Sequence, residues 1–118
     1  MTREEAIDFM VRRCHYEWDI FFMNDRGVAP PAWCMGCVGD RVEMRALRQA
    51  LGFGKAVEQG RGLEVGRWNW RAYAEGEEDT EKLIHFLKEL CPKVRGTKKG
   101  RYAQDMLTAL IYMRRKTA

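Results

Sequence analysis

No run of apolar residues in this 118-residue chain approaches the ~20 that a bilayer-spanning helix requires. The start, Met-Thr-Arg-Glu-Glu-Ala, has mixed charge instead of a basic cap before an apolar stretch, which argues against export and predicts a cytoplasmic protein. Histidine is scarce at two residues and proline at three, two of them adjacent at Pro30 and Pro31. A phosphate loop, a nucleophile elbow, a His-Glu-x-x-His pair and a calcium loop are all missing. These absences predict a non-enzymatic protein with no small-molecule substrate, one that acts by binding. No repeat, low-complexity tract or linker interrupts the chain, so residues 1–118 are expected to form one domain.

What is present is globular in character: 46% of the residues are hydrophobic and 32% charged, and four tryptophans argue against disorder. The net charge of +4 is unevenly placed. Residues 92–118 hold eight cations against one acid, Asp105, a local excess of +7, just after the acidic cluster Glu75, Glu77, Glu78, Asp79 and Glu81. Lys98, Lys99 and Arg101 fall in a glycine-bounded basic loop, and Arg114, Arg115 and Lys116 end the last helical pattern. Core packing requires none of them. Lys98, Lys99, Arg101, Arg114 and Arg115 are therefore the candidate partner-binding residues, suited to phosphates or an acidic protein face.

Hydrophobic spacing divides the chain further. Ile7, Met10, Val11, Cys14, Trp18, Phe21 and Phe22 recur at three- and four-residue steps, which predicts one helix from Arg3 to about residue 24, capped by Thr2 with Glu5. The diproline and glycines of residues 28–39 predict a structured loop. Asp40 caps a second helix carrying Val42, Leu47 and Leu51, and residues 55–59 suit a short helical turn. Period-two alternation on both sides of Gly66-Arg67 predicts a short hairpin or one bulged strand over 60–73, with Leu63 and Val65 and then Trp68, Trp70 and Ala72 on one face. A helix starting at Asp79 or Thr80 presents Leu83, Ile84, Leu87, Leu90 and Cys91, and a last one runs from about Tyr102 to Arg115. The expected class is α+β: about four helices, a short β-hairpin and a zinc-knuckle loop.

The knuckle is read from Trp33-Cys34-Met35-Gly36-Cys37, where two thiolates separated by two residues and a glycine turn can face one tetrahedral cation. Cys34 and Cys37 are the first candidate ligands of a structural Zn²⁺, Cys14 the third, and Cys91 or His15 the fourth. A competing reading makes all four cysteines small buried apolar residues. The Trp-Cys-x-x-Cys string also resembles the thioredoxin motif, but no strand precedes it in this reading and the next helix begins after the second cysteine.

Through Cys14-His15 and Cys34-Met35-Gly36-Cys37 on a small chain, the sequence resembles phage-encoded anti-CRISPR proteins, the zinc-containing inhibitors of Cas9 in particular. That resemblance implies a zinc-stabilised protein that docks on a larger nucleoprotein complex, a CRISPR effector, and blocks its nucleic-acid binding or activation. The positive charge speaks against DNA mimicry. The alternative is a small nucleic-acid-binding regulator with a helix-turn-helix over Arg45 to Gln59. In that reading the run Trp68-Asn69-Trp70-Arg71-Ala72-Tyr73 stacks bases and neutralises phosphates.

Overall fold

Two capping boxes define where the first helices begin. The Glu5 amide donates to Thr2 Oγ1 at 3.1 Å and the Thr2 amide to Glu5 Oε1 at 3.0 Å, while Glu43 and Asp40 make the same exchange at 2.8 and 3.2 Å. In the computed structural model residues 1–16, 19–25, 32–59 and 66–117 are described, except for the side chains of 25, 32 and 115–117. Their order is α1 (Arg3–Arg13), β1 (Ile20–Asp25), β2 (Ala32–Gly39), α2 (Arg41–Leu51), β3 (Lys55–Gln59), β4 (Arg67–Tyr73), α3 (Gly76–Leu90), a 3₁₀ turn (Cys91–Lys93) and α4 (Lys98–Thr117). The four strands form one antiparallel sheet in the order β1-β2-β4-β3. The α+β class with four helices is thus as the sequence predicts, while the sheet is twice as wide as one hairpin.

Three segments read as helix or loop are strands instead. The single helix expected to residue 24 ends at Arg13, and Ile20–Asp25 pairs with β2. The run Ile20-Phe21-Phe22 is β-branched and aromatic, and cross-strand pairing outweighs its helical spacing. The loop expected over 28–39 is extended from Ala32, because the glycines at 36 and 39 sit where neighbouring side chains come close. The expected turn of helix at Lys55–Gln59 is the edge strand β3. It pairs antiparallel with β4, before which Gly66 has φ +93; the first strand of the predicted hairpin, with Leu63 and Val65, lies outside the described residues.

Alternation along the strands separates two faces. Ile20, Met35, Cys37, Trp70 and Ala72 point into a single hydrophobic cluster with Ile7, Met10, Met44, Leu47, Leu83, Phe86, Leu87, Met106 and Leu110. All four helices contribute to that cluster, so they cover one face of the sheet, and no described helix covers the other. At its centre Phe53, Trp70 and Phe86 meet edge to face, with centroids 5.5, 5.8 and 6.0 Å apart. The Trp70 indole N–H donates to the Phe53 carbonyl at 3.0 Å. A Cβ at Gly54 would lie 2.5 Å from that same indole nitrogen, so only glycine, here at φ +81, lets the chain pass.

Trp70→Phe keeps most of the ring packing but leaves the buried Phe53 carbonyl without its donor. It is expected to lower unfolding free energy by about 1–3 kcal/mol, and a shift in the urea midpoint at unchanged slope checks this.

Candidate nucleic-acid interface

The register assigns every outward side chain of the open face. One cross-strand row runs Phe21, Gly36, Arg71 and Lys55; beside it lie Met23, Cys34 and Tyr73; on the other side come Val38, Asn69 and Val57, then Arg67 and Gln59. Period two alone explains this sorting: Trp68, Trp70 and Ala72 go to the helices, so Arg67, Asn69, Arg71 and Tyr73 go outward. Phe21 lies over Gly36, whose added Cβ would come 2.4 Å from the ring and 2.3 Å from the Trp70 carbonyl. The ring therefore lies flat where a side chain would otherwise stand, and the Arg71 guanidinium sits 5.9 Å from its centroid.

This face forms a shallow hollow of about 300 Å³ lined by Phe21, Met23, Cys34, Gln59, Asn69, Arg71 and Tyr73 among others. Three of its polar atoms are buried with no hydrogen-bond partner among the described residues: Gln59 Oε1, Asn69 Oδ1 and Arg71 Nε. A buried polar atom left without a partner costs about 1–3 kcal/mol. Three of them close together, with Asn69 only 1% exposed, leave buried polar groups that call for a partner such as ordered water or a ligand. Lys55, Arg67 and Arg71 supply positive charge, and no described side chain of these four rows is a carboxylate. Asp19, at the rim, is held by Arg13 at 3.5 Å, and the same guanidinium binds Glu43 at 3.0 Å.

Comparison with solved structures finds this fold elsewhere. The chain shares its fold with homing endonucleases. I-CvuI in complex with its target in the presence of Ca superimposes with a TM-score of 0.64 at 12% identity, over 92% of this chain and 67% of that one. I-CvuI in complex with the I-CreI target in the presence of Mg gives 0.59 at 10% identity over the same shares. The archaeal intron-encoded I-Vdi141I complexed with DNA gives 0.55 at 12%, over 92% and 70%. No known family model and no curated protein matches the sequence.

These findings correct the functional expectations. The reading as a zinc-stabilised, anti-CRISPR-like inhibitor that docks on a protein gives way, because the fold is shared with DNA-bound endonucleases; nucleic-acid binding, the alternative, is the better supported. The expectation of a non-enzymatic protein is overturned with it, since missing signature motifs do not separate this chain from an endonuclease fold. The helix-turn-helix offered for that alternative is not formed, because α2 leads into a strand. Among the described residues no helix is long and apolar enough to cross a membrane.

The zinc knuckle is corrected by geometry. Three residues apart on a strand, Cys34 and Cys37 lie on opposite faces of the sheet and cannot grip one ion. Cys37 is buried among core side chains with Met44 Sδ 3.7 Å away, and burial pushes its thiol up to about 12. Cys14, buried at the end of α1, is raised to about 11, chiefly by burial and then by the neighbouring Cys91, which burial raises as well. His15 beside it is exposed. Among the described residues no group of three or more His, Cys, Asp or Glu side chains is placed to hold a metal ion.

The described cations among the predicted partner-binding residues stand near the two ends of α4. Lys98, Lys99 and Arg101 belong to the first turns of α4, which begins before the expected Tyr102. Lys99 lies 5.9 Å from the Tyr102 ring. Arg114 binds Glu81 through two contacts of 3.1 Å and ties α4 to α3; the side chain of Arg115 lies outside the described residues. Sequence reasoning noticed Asn69 and Arg71 but missed Gln59, Lys55 and Phe21, whose segments read as helical. The signal available was the shared parity of Lys55, Val57 and Gln59.

Because the folded thiols of Cys37 and Cys14 hold their protons more tightly than exposed ones, stability contributed by keeping them neutral is complete below pH 9 and lost as pH rises toward 11 and 12. Cys37→Ala is expected to flatten the alkaline limb of a stability–pH curve measured by urea unfolding.

Proposed function

We propose that this protein binds double-stranded DNA across the open face of its sheet, reading base edges with Gln59, Asn69 and Arg71. The observation that carries this is the set of unpartnered polar atoms of those three side chains, on a face with arginines and no described carboxylate. Their chemistry fits base recognition. An amide can pair bidentately with adenine and a guanidinium with guanine in the major groove, which is about 12 Å wide and admits a two-stranded ribbon. β3 and β4 are the antiparallel pair at one edge of the four-stranded sheet. Asn69 and Arg71, two residues apart, advance about 6.8 Å along the strand, close to two base steps of about 3.4 Å.

Arg67 and Lys55, at the ends of the ribbon, are placed for phosphates, while Phe21 and Val57 offer apolar surface to a thymine methyl. The complexes of the similar endonucleases support the reading, since each contains DNA or a target.

The test is selection from a randomised duplex pool, followed by binding measurements on the recovered sequence. Asn69→Ala and Arg71→Ala should each relax preference at one position, by about 1–3 kcal/mol, with the fold unchanged by circular dichroism. Adding Mg²⁺ to the same mixtures reads out strand cleavage. Absence of any duplex binding by the parent protein would refute the proposal.

A further inference from the structure

A second basic surface lies outside the open face. On α2, Arg41, Arg45 and Arg48 fall at i, i+4 and i+7 and are all exposed on one side of the helix. They border a groove of about 910 Å³ between α2 and the free edge of β3, with Gln49, Lys55 and Trp68. Among the described residues no ion pair engages any of these four cations, whereas Arg3, Arg13, Lys82 and Arg114 all have carboxylate partners. Local acids are committed elsewhere: Asp40 caps α2, and Glu43 binds Arg13. Glu58, directly across from Trp68, is the one carboxylate on this strand and does not itself line the groove. Arg41 stacks on Trp68 at 5.6 Å, which orders the first cation of the row.

We infer that this groove is a phosphate track for nucleic acid: one strand's backbone, flanking the segment on the sheet, runs along the Arg41, Arg45 and Arg48 stripe. The inference rests on the reading of the open face as a DNA surface. Charge complementarity and continuity argue for this occupant. The stripe spans about 10 Å at 1.5 Å per residue, the axial length of about three phosphates of one strand. Lys55 belongs both to the groove lining and to the outward row of the sheet, so positive charge continues from one surface to the other over β3. Such contacts fix position and strengthen binding without reading sequence.

The experiment compares the full-length parent with R41Q/R45Q/R48Q, with R45Q/R48Q, which keeps the Arg41–Trp68 stack, and with the sheet variant Asn69→Ala. Affinity for a random-sequence duplex two helical turns long is followed from about 50 to 200 mM salt. At about 0.9 per phosphate contact, the triple variant should flatten the log–log salt slope by two to three units and the double variant by roughly two, while preference among sequences is kept. Asn69→Ala should do the reverse, relaxing preference at unchanged slope. A parent-like slope in both arginine variants, with melting temperatures equal to the parent's, overturns the groove and leaves the sheet reading standing. A parent that binds no duplex removes both. If anionic phosphatidylserine vesicles bind the parent and lose the triple variant while the duplex slope stays put, the occupant is a lipid surface and the inference is wrong.

Discussion

The indole of Trp70 is the point on which the two faces of the molecule depend. Its N–H is anchored to the Phe53 carbonyl and its ring is wedged between Phe53 and Phe86, so β4 cannot rotate or slip by one residue without tearing out the largest side chain of the core. A one-residue slip would turn Asn69 and Arg71 toward the helices and put Trp70 in water. Locking one tryptophan inward therefore also sets which polar groups face outward. The close passage of Gly54 against the same ring fixes how β3 enters the sheet, and hence where Lys55 and Gln59 stand on it.

The helices share the work of covering the other face. α2 and α3 pack on β4, α4 on β1, and α1 sits against α2 and α3. Arg13 ties the end of α1 to Asp19 before β1 and to Glu43 on α2, and Arg3 reaches Glu89 on α3 at 3.1 Å. Such half-exposed pairs add little to stability each, yet they fix how elements meet. The first turn of α3 is acidic, which its dipole favours; α4 begins with Lys98 and Lys99, which its dipole opposes. Thr97 offsets part of that by accepting the Gly100 amide at 2.9 Å.

Much of this was legible from residues whose signal is local. Both capping boxes contain the pattern that marks a helix start, and the alternation of Trp68, Trp70 and Ala72 revealed the buried side of β4. The inner faces of α3 and α4 follow from their leucine spacing, although Phe86 was overlooked and Gly76, not Asp79, opens α3. What failed was pairing. Residues 20–25, 32–39 and 55–59 carry too few residues each for period to separate strand from helix or loop; β1 and β3 become strands against the next strand in the chain, and β2 also against the more distant β4. The cysteines misled for the same reason: a two-residue spacer suggests a turn, but in extended backbone it sends the thiols to opposite sides. The reading of the cysteines as buried apolar residues fits all four. For the open face, Asn69 and Arg71 were visible as chemistry, but only the register shows that Gln59 stands with them.

The free edge of β3 bears on how copies of the protein behave toward one another. An unpaired strand edge invites a second strand, and Lys55, Glu58 and the flanking arginines of α2 surround this one with charge that discourages such approach. That protection is electrostatic and so depends on what surrounds the molecule. In dilute salt, like charges on neighbouring copies keep the edges apart; in concentrated salt the same charges are screened and the edge loses its repulsion. Colloidal stability at the β3 side is thus greatest at low ionic strength, and high salt is the condition under which strand-to-strand association between copies becomes easiest.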